Sequence, residues 1–323
     1  MLIVLIFVIV LFLYLHIFFH IKTSNDLEVY ECETADKDKL EEICGVRQPV
    51  IFNYYDDVIS SECNMNVLLD KYSSFDVKIR NTNRKISDDE ELYIPLKLND
   101  LPKVLDGDKE SNYITERNSE FIEETGLLKH FKYNDTLLRP YMAFVCDYDI
   151  ITGSVNTTTP FRYNLHYRTY FNVISGNIKI KMSPPKYYKF LHEVKDYDNY
   201  EFRTEINPWN VTDEHKCDFD KIKCLEIELS VGQAIYIPAY WWYSIQYSDE
   251  TLVTSYKYHT YMSMLSISNH QILALLQSQN IKRNPYLNII KDTKINVETD
   301  SKNEDISKDT ICPDEKDGLQ EDE

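Results

Sequence analysis

The side chains best able to do chemistry lie in two segments that are rich in aromatic residues. The first reads NLHYRTYFNVISGNIKIKMSPP, residues 164–185, and places His166 two positions before Arg168. The second reads LSVGQAIYIPAYWWYSIQY, residues 229–247, and places Tyr243 directly after two tryptophans. An imidazole can ligate a metal ion or transfer a proton, whereas a guanidinium has no lone pair and binds anions or carboxylates. A lone histidine is more often a hydrogen-bonded structural residue, so His166 by itself predicts no metal site.

Both segments resemble those of the JmjC and cupin-like hydroxylases. In that family the first segment is a strand bearing His-x-Asp, then a strand ending in Gly and a basic-hydrophobic strand closing at Pro-Pro. The second is a Gly turn, an Ile/Val-Tyr-Ile-Pro strand and then Trp-Trp-His. Upstream, RQPVIFN and FDVKIR resemble the family's first strands, so the resemblance covers residues 38–285. It implies a double-stranded β-helix and, in active members, Fe(II) held by two His and one carboxylate together with 2-oxoglutarate.

The iron ligands that the resemblance implies are incomplete in this sequence. Tyr243 occupies the position of the His that follows the two tryptophans. Two alignments of the first segment are open: anchoring on His166 puts Arg168 at the carboxylate position, whereas anchoring on the Gly and the Pro-Pro pair puts Tyr163 and Leu165 at the His-x-Asp positions. The second needs no gap before the glycine and is preferred. Under either alignment at most one of three ligands survives, so we expect no catalytic residue, no bound metal and no cofactor.

Other side chains near these segments give no substitute site by their spacing. The family's cosubstrate-binding lysine, two residues after the glycine, corresponds to Ile178, and strand alternation puts Lys179 and Lys181 on the opposite face. His259 and His270 are further possible ligands, although no spacing argues for that role. The residues predicted to line a vestigial pocket are Tyr163, Leu165, His166, Arg168, Ile178 and Tyr243.

Strand and turn signals predict a mainly β domain with flanking helices (α+β), a double-stranded β-helix of the cupin or jelly-roll type. Gly176 and Gly232 are expected in the tight turns that such a fold needs before a strand, and Pro238 is expected to end a strand. Strand signals dominate residues 137–262. Helices are predicted for KLEEICGV, SSECNMNVLLDKYSS and NSEFIEETGLLKHF, with a packed C-terminal helix in NHQILALLQSQNIKRN.

The N-terminus carries an uncharged apolar run, LIVLIFVIVLFLYLHIFF, which with the next residues reaches the length that a bilayer core of about 30 Å requires. A cleaved signal peptide is the alternative, but the run lacks a basic n-region and a small-x-small cleavage site. We therefore expect a single-pass membrane protein whose bilayer contact is residues 2–21. Lys22 is the only nearby flanking charge, so orientation stays open. Three sequons leave glycosylation open: Asn134, Asn156 and Asn210.

Composition limits the partners and the domain plan. A formal net charge of −18 repels phosphate backbones, so nucleic acid is not expected as a partner. Residues 291–323 hold twelve acidic residues against five lysines and are expected to be a disordered tail. Cys217 and Cys224 either close a hairpin disulfide or stay reduced. The predicted plan is an anchor at 1–21, a polar linker at 22–37, the cupin-like domain at 38–285 and an acidic tail at 286–323.

Three functions fit these features. The first is a membrane-tethered cupin-like domain that has lost catalysis and acts as a binding or structural module with an unknown protein partner. The second is an active Fe(II)/2-oxoglutarate-dependent protein hydroxylase with non-standard ligands. The third is a structural membrane protein of a large DNA virus, in the virion or a host internal membrane, because the Ile/Asn/Lys/Tyr-rich composition is typical of A/T-rich genomes.

Overall fold

The structure is a computed structural model that describes residues 1–33, 36–83 and 92–279. Two short 3-10 helices lie at Leu98–Asp100 and Pro185–Phe190. The α-helices are α1 (Leu2–Ile21), α2 (Lys37–Gly45), α3 (Asp57–Glu62), α4 (Met65–Tyr72), α5 (Leu101–Gly107), α6 (Ser119–Glu124), α7 (Leu128–Asn134), α8 (Asp213–Phe219), α9 (Tyr261–Ser266) and α10 (Ser268–Ser278). The strands are β1 (Tyr30–Cys32), β2 (Val50–Asn53), β3 (Asp76–Asn81), β4 (Ile94–Lys97), β5 (Tyr113–Thr115), β6 (Ala143–Gly153), β7 (Arg162–Tyr163), β8 (Arg168–Ser175), β9 (Ile178–Ser183), β10 (Val194–Asp196), β11 (Glu201–Arg203), β12 (Leu225–Leu229), β13 (Gln233–Ile237), β14 (Trp242–Tyr247) and β15 (Leu252–Thr260).

Within the described ranges the strands form two facing sheets. One has nine strands in the order β1-β2-β13-β8-β15-β6-β5-β3-β4, and the other has six in the order β10-β11-β7-β14-β9-β12. The strands β13, β8, β15 and β6 face β7, β14, β9 and β12, and all pairings within each of these two sets are antiparallel. This arrangement is the double-stranded β-helix that the resemblance predicts.

Three apolar layers follow from side-chain alternation along these strands. The layer between the sheets takes inward-facing residues such as Phe171, Ile180 and Tyr243. The outer face of the nine-stranded sheet packs against α2 to α7 through residues such as Tyr170 and Phe131. A third cluster covers the outer face of the six-stranded sheet. Consecutive residues of one strand therefore serve different layers, and this decides where each candidate site residue points.

The predicted turns are confirmed at two glycines. Gly176 joins β8 to β9 with φ +68°, and Gly232 precedes β13 with φ +80°. A Cβ on Gly176 would lie 2.8 Å from the backbone oxygen of Asp249, so this turn excludes a side chain. Pro238 directly follows β13, where the predicted strand end is also confirmed.

The helix predictions are confirmed in kind but differ in extent. The segment predicted as one helix around Gly126 forms α6 and α7, because that glycine adopts φ +77° and interrupts the helix. SSECNMNVLLDKYSS likewise contains parts of two helices, with Asn64 capping the second through its side chain. The C-terminal helix forms as α10, yet its leucines are exposed and not packed into the core.

The predictions for the two terminal segments have different outcomes. The helix α1 is long and apolar enough to cross a membrane, a criterion that signal sequences near an N-terminus also meet. The predicted acidic tail at 286–323 lies outside the described residues. The six cysteines of the described part of the chain are all free thiols, Cys217 and Cys224 among them.

Candidate functional site

The centre of the candidate site is Tyr243, where β14 pairs with the two-residue strand β7. Tyr243 lies opposite Arg162 in this pairing, and its side chain points between the sheets. The Asn164 side chain, two residues after Arg162, donates a hydrogen bond from Nδ2 to the Tyr243 Oη over 2.8 Å. The Arg162 guanidinium carbon lies 6.0 Å from the centre of the Tyr243 ring. Arg162, Asn164 and Tyr243 therefore face one another with the i, i+2 spacing of a His-x-Asp pair beside a third residue.

Arg162 belongs to a buried network of four charged side chains, which is called here the Arg–Glu network. Arg162 donates from Nη1 to Glu116 Oε1 and to Glu201 Oε1, both over 2.9 Å. Arg80 donates from Nη1 to the same two oxygens over 3.3 and 2.8 Å. The Tyr93 hydroxyl adds a 2.7 Å hydrogen bond to Glu116. Two positive and two negative charges thus meet inside the protein, and the partly exposed Arg203 adds a hydrogen bond to Glu201 Oε2 over 2.9 Å.

The Arg–Glu network joins the two sheets. Arg80 lies on β3 and Glu116 directly follows β5, whereas Arg162 lies on β7 and Glu201 on β11. All four side chains are at most 11% exposed. Such burial is tolerable only when each charge keeps its partners, because a single unpaired ion in the interior is strongly destabilising.

Electrostatics fix the protonation of this region at neutral pH. Burial alone would raise the pKa of Glu201, but Arg80 and Arg162 outweigh it and lower the pKa to about 2. The same competition, won by Arg162 and Arg80, holds the pKa of Glu116 well below its usual range. Burial raises the pKa of the Tyr243 phenol above its ordinary value, despite the opposing charge of Arg162. The glutamates therefore stay ionised and Tyr243 stays a neutral phenol.

Comparison with family models identifies this architecture. Residues 37–264 match the model described as a cupin-like domain. The chain belongs to the cupin-like family. A search of curated proteins found no match.

The cupin-like resemblance implies an iron ion held by two His and one carboxylate, and the residues present at those positions do not fit it. Tyr243 follows the two tryptophans, where the ligand His is expected, and its phenol stays protonated. The inward residues beside it are Arg162, which has no lone pair and is held by glutamates, and Asn164, whose amide is neutral. The oxygens of Glu116 and Glu201 that face this point accept hydrogen bonds from Arg162. In the described parts of the chain, no group of three or more His, Cys, Asp or Glu side chains is arranged to hold a metal ion.

The residues of the preferred alignment face away from this point. Tyr163 and Leu165 lie in the cluster on the outer face of the six-stranded sheet. The Tyr163 hydroxyl donates to Glu193, and its ring lies 4.9 Å from that of Trp242. Since neighbouring strand residues point to opposite faces, the inward positions are one residue away from the expected ones.

Arg168 also points away from the space between the sheets. It lies at the start of β8 on the face that packs against α2, where its Nη2 lies 3.1 Å from Glu41 Oε2. Its guanidinium stacks 4.8 Å from the Tyr167 ring and 5.1 Å from the Tyr236 ring. Arg168 therefore binds a carboxylate, as a guanidinium is expected to, but it does so in the contact between sheet and helix.

His166 lies at a second place, beside the candidate residue His259 and the carboxylate of Asp147. Its ring stacks on that of His259 with centroids 4.5 Å apart and planes inclined by 30°, and its Nε2 lies 3.5 Å from Asp147 Oδ2. Stacked imidazoles direct their nitrogen lone pairs side by side, so the lone pairs do not converge on one ion. The sequence had marked His166 and His259 separately, and the structure brings them together.

The remaining candidates are spread over the molecule. Ile178 is buried in the layer between the sheets, whereas Lys181 points outward and its ammonium lies 4.5 Å from the centre of the Trp209 ring. His270 lies on α10 with its Nδ1 3.1 Å from the Tyr197 hydroxyl. The positions of Ile178 and Lys181 agree with the alternation expected along β9: Ile178 shares the layer between the sheets with Tyr243, whereas Lys181 and His270 lie elsewhere.

Sequence reasoning missed the Arg–Glu network. Its members lie 36 to 121 residues apart in the chain, so no local pattern relates them. The one available signal was Arg162 itself, a charged residue at the inward position directly before the predicted Tyr163.

Proposed function

We propose that this cupin-like domain is a non-catalytic binding or structural module, tethered to a membrane through α1. The observation that carries the proposal is the identity of the three inward side chains, Arg162, Asn164 and Tyr243, which offer neither an imidazole nor a free carboxylate. The chemistry of an iron-dependent hydroxylase belongs to the metal and its cosubstrate. A site without ligands for the metal has no route to that chemistry.

The Arg–Glu network supports this proposal because its ion pairs lie beside Tyr243, where the resemblance implies metal ligands. Arg162 carries a positive charge beside Tyr243 that would repel a divalent cation there, and Arg80 adds a second positive charge to the same network. The same contacts connect the two sheets, so the former site contributes to the cohesion of the fold. A domain of this kind acts through its surfaces.

Turnover of 2-oxoglutarate is the direct test. Full-length protein in detergent is incubated in air with Fe(II), ascorbate and 2-oxoglutarate, and succinate is measured. We expect succinate at the level of a protein-free blank, because the cosubstrate has neither metal nor lysine to bind. Iron-dependent succinate formation above the blank would overturn the proposal.

The membrane tether has its own test. We expect full-length protein to stay in the membrane pellet after carbonate extraction, with an N-terminus that begins at or near Met1. Release into the supernatant, or a mature N-terminus beyond residue 20, would show that α1 is a cleaved or peripheral segment.

An active hydroxylase with non-standard ligands remains the second candidate because His166, His259 and Asp147 lie together. These residue types are those of an iron triad, although their geometry is a ring stack. If this candidate were right, replacing His259 by Phe, which keeps the stack, would abolish iron-dependent succinate formation. The first proposal instead expects the same blank-level signal before and after the replacement.

A further inference from the structure

The helices α9 and α10 present an exposed apolar surface, which is called here the apolar patch. Its side chains are between 40% and 60% exposed. They are Tyr261, Leu265, Ile272, Leu273, Leu275 and Leu276. On the neighbouring strand β6, the exposed ring of Phe144 lies 4.5 Å from that of Tyr261 and extends the surface. An exposed patch of this kind marks a contact with a partner or a lipid surface.

The apolar patch is also free of charge. Residues 258–279 contain no Asp, Glu, Lys or Arg, although charged residues make up 27% of the chain. The opposite side of α10 packs on the domain, where Gln271 donates to the Tyr200 hydroxyl over 3.1 Å. The helix thus has one polar side fixed to the protein and one apolar side without a partner among the described residues. A water-exposed helix in so acidic a chain would be expected to carry charges on its free side.

The location of the patch is set by its contact with α1. The helix α1 packs against α9, and His20 lines a small cleft together with Ser263 and Ser266. The half-buried residues of α1 lie in its second half: Leu13, His16, Ile17 and His20. Their spacing puts them on one side of that helix. Arg47 fixes the end of α1 by donating from Nη1 to the backbone oxygen of Lys22 over 2.5 Å.

These contacts set the height of α9 relative to a bilayer. A helix of 20 residues is about 30 Å long, which equals the thickness of the hydrocarbon core. Its half-buried side begins at Leu13, about 12 Å before its end at the same rise per residue. An α1 that spans the bilayer therefore holds α9 beside its last turns, within about 12 Å of the boundary between the acyl chains and the headgroups on the acyl-chain side, and α10 directly follows α9.

We propose that the apolar patch inserts into the interface of the same bilayer that α1 crosses. This inference rests on the proposed membrane tether and adds a second lipid contact to it. Zwitterionic lipid is the expected partner, because the patch has no cation and the chain's net charge of −18 disfavours anionic headgroups. Tyr261 and the leucines are side chains that such interfaces accept. The domain would then lie against the membrane in one orientation and not swing freely on the segment after α1.

Quenching by brominated lipid tests the contact in the full-length protein. Wild type and single tryptophan variants are reconstituted in phosphatidylcholine vesicles with or without brominated acyl chains. Phe12→Trp reports on α1, while Leu276→Trp and Phe144→Trp report on the patch and its margin. The matched control is Val155→Trp, since Val155 is 44% exposed and lies two residues beyond Gly153, the end of β6 that is about 30 Å from Phe144 along the strand. The emission of the three native tryptophans is subtracted with the wild-type protein.

We expect the added emission of Phe12→Trp, Leu276→Trp and Phe144→Trp to be mostly lost in brominated lipid, and that of Val155→Trp to be retained. Quenching of Phe12→Trp alone would overturn the patch proposal and leave the tether intact. That outcome includes a patch covered by a second copy of the chain or by the residues after Gln279, where the emission would be blue-shifted but unquenched. If Phe12→Trp is not quenched either, both the tether and the patch proposal are overturned. If Leu276→Trp and Phe144→Trp give the same quenching result, a local folding defect in one variant does not explain that result.

Discussion

At the scale of single residues, the buried charged side chain of Arg162 distinguishes this cupin-like site from one with iron ligands. Arg162 takes the inward position beside Tyr243, and its charge is balanced by Glu116 and Glu201. The site is thus not an empty pocket from which ligands have been deleted. It is a set of buried ion pairs, and removing one member would leave the charges of its partners uncompensated.

Replacing one member of the Arg–Glu network should therefore be costly. We expect Glu201→Gln to lower the free energy of unfolding by about 3–5 kcal/mol, because Arg80 and Arg162 would both lose a buried carboxylate. The control is Glu226→Gln, since Glu226 is 56% exposed in its pair with Lys181 and should change stability by no more than about 1 kcal/mol. Urea denaturation followed by circular dichroism measures both. Equal effects of the two variants would contradict the assigned role.

The stacked histidines make a separate prediction about pH. Burial lowers the pKa of His259 to about 3, with a further contribution from His166, so the folded state resists protonation that the unfolded chain accepts near 6.5. Stability from this residue is therefore complete above pH 6.5 and falls as the pH decreases toward 3. At pH 5 the loss amounts to about 2 kcal/mol.

The variant His259→Phe keeps an aromatic ring on His166 but cannot be protonated. We expect it to reduce the difference between the urea midpoints at pH 7 and pH 5. Val155→Ala, which changes an exposed side chain without an ionisable group, is the control and should leave that difference as in the wild type. A pH dependence that His259→Phe leaves unchanged would refute the assignment to this pair.

At the scale of elements, the turn between β8 and β9 depends on one glycine. We expect Gly176→Ala to destabilise the protein by about 2 kcal/mol or more, because the residue has φ +68° and a Cβ would overlap Asp249 and Thr251. Gly45→Ala, at the end of α2 with open space around the new methyl, should be neutral or stabilising by up to about 1 kcal/mol. Thermal unfolding of both variants measures the contrast, and similar shifts in Tm would count against the turn geometry.

The elements that the sequence predicted best are those with strong local signals. The strands beginning at Val50 and Asp76, the turn glycines and the strand end at Pro238 depend on nearby residues, and all are found where expected. The direction in which the side chains of β7 point was harder to predict from the sequence. That strand has two residues and ends in an irregular stretch before β8, so alternation could not be carried across it. A shift of one residue then exchanged the inward and outward sets.

At the scale of the whole molecule, features that follow from composition could be predicted, whereas contacts between distant parts of the chain could not. The apolar run at residues 2–21 follows from residue types alone, and the structure gives it as one helix. The exposed side of α10 does not follow from its pattern, because the same spacing of leucines is typical of a helix packed into a core. The exposure of the α10 leucines and the contact of Gln271 with Tyr200 show which side of α10 is free.

The central claim is that the inward side chains at the cupin-like site cannot hold iron, and an anaerobic calorimetric titration with Fe(II) tests it most directly. The titration compares wild type with two triple variants. Arg162→His, Asn164→Asp and Tyr243→His rebuild the ligand types at inward positions, whereas Tyr163→His, Leu165→Asp and Tyr243→His place two of them on the outer face. We expect saturable Fe(II) binding in the first triple variant and none in the second or in the wild type. Stoichiometric binding by the wild-type protein would contradict the account.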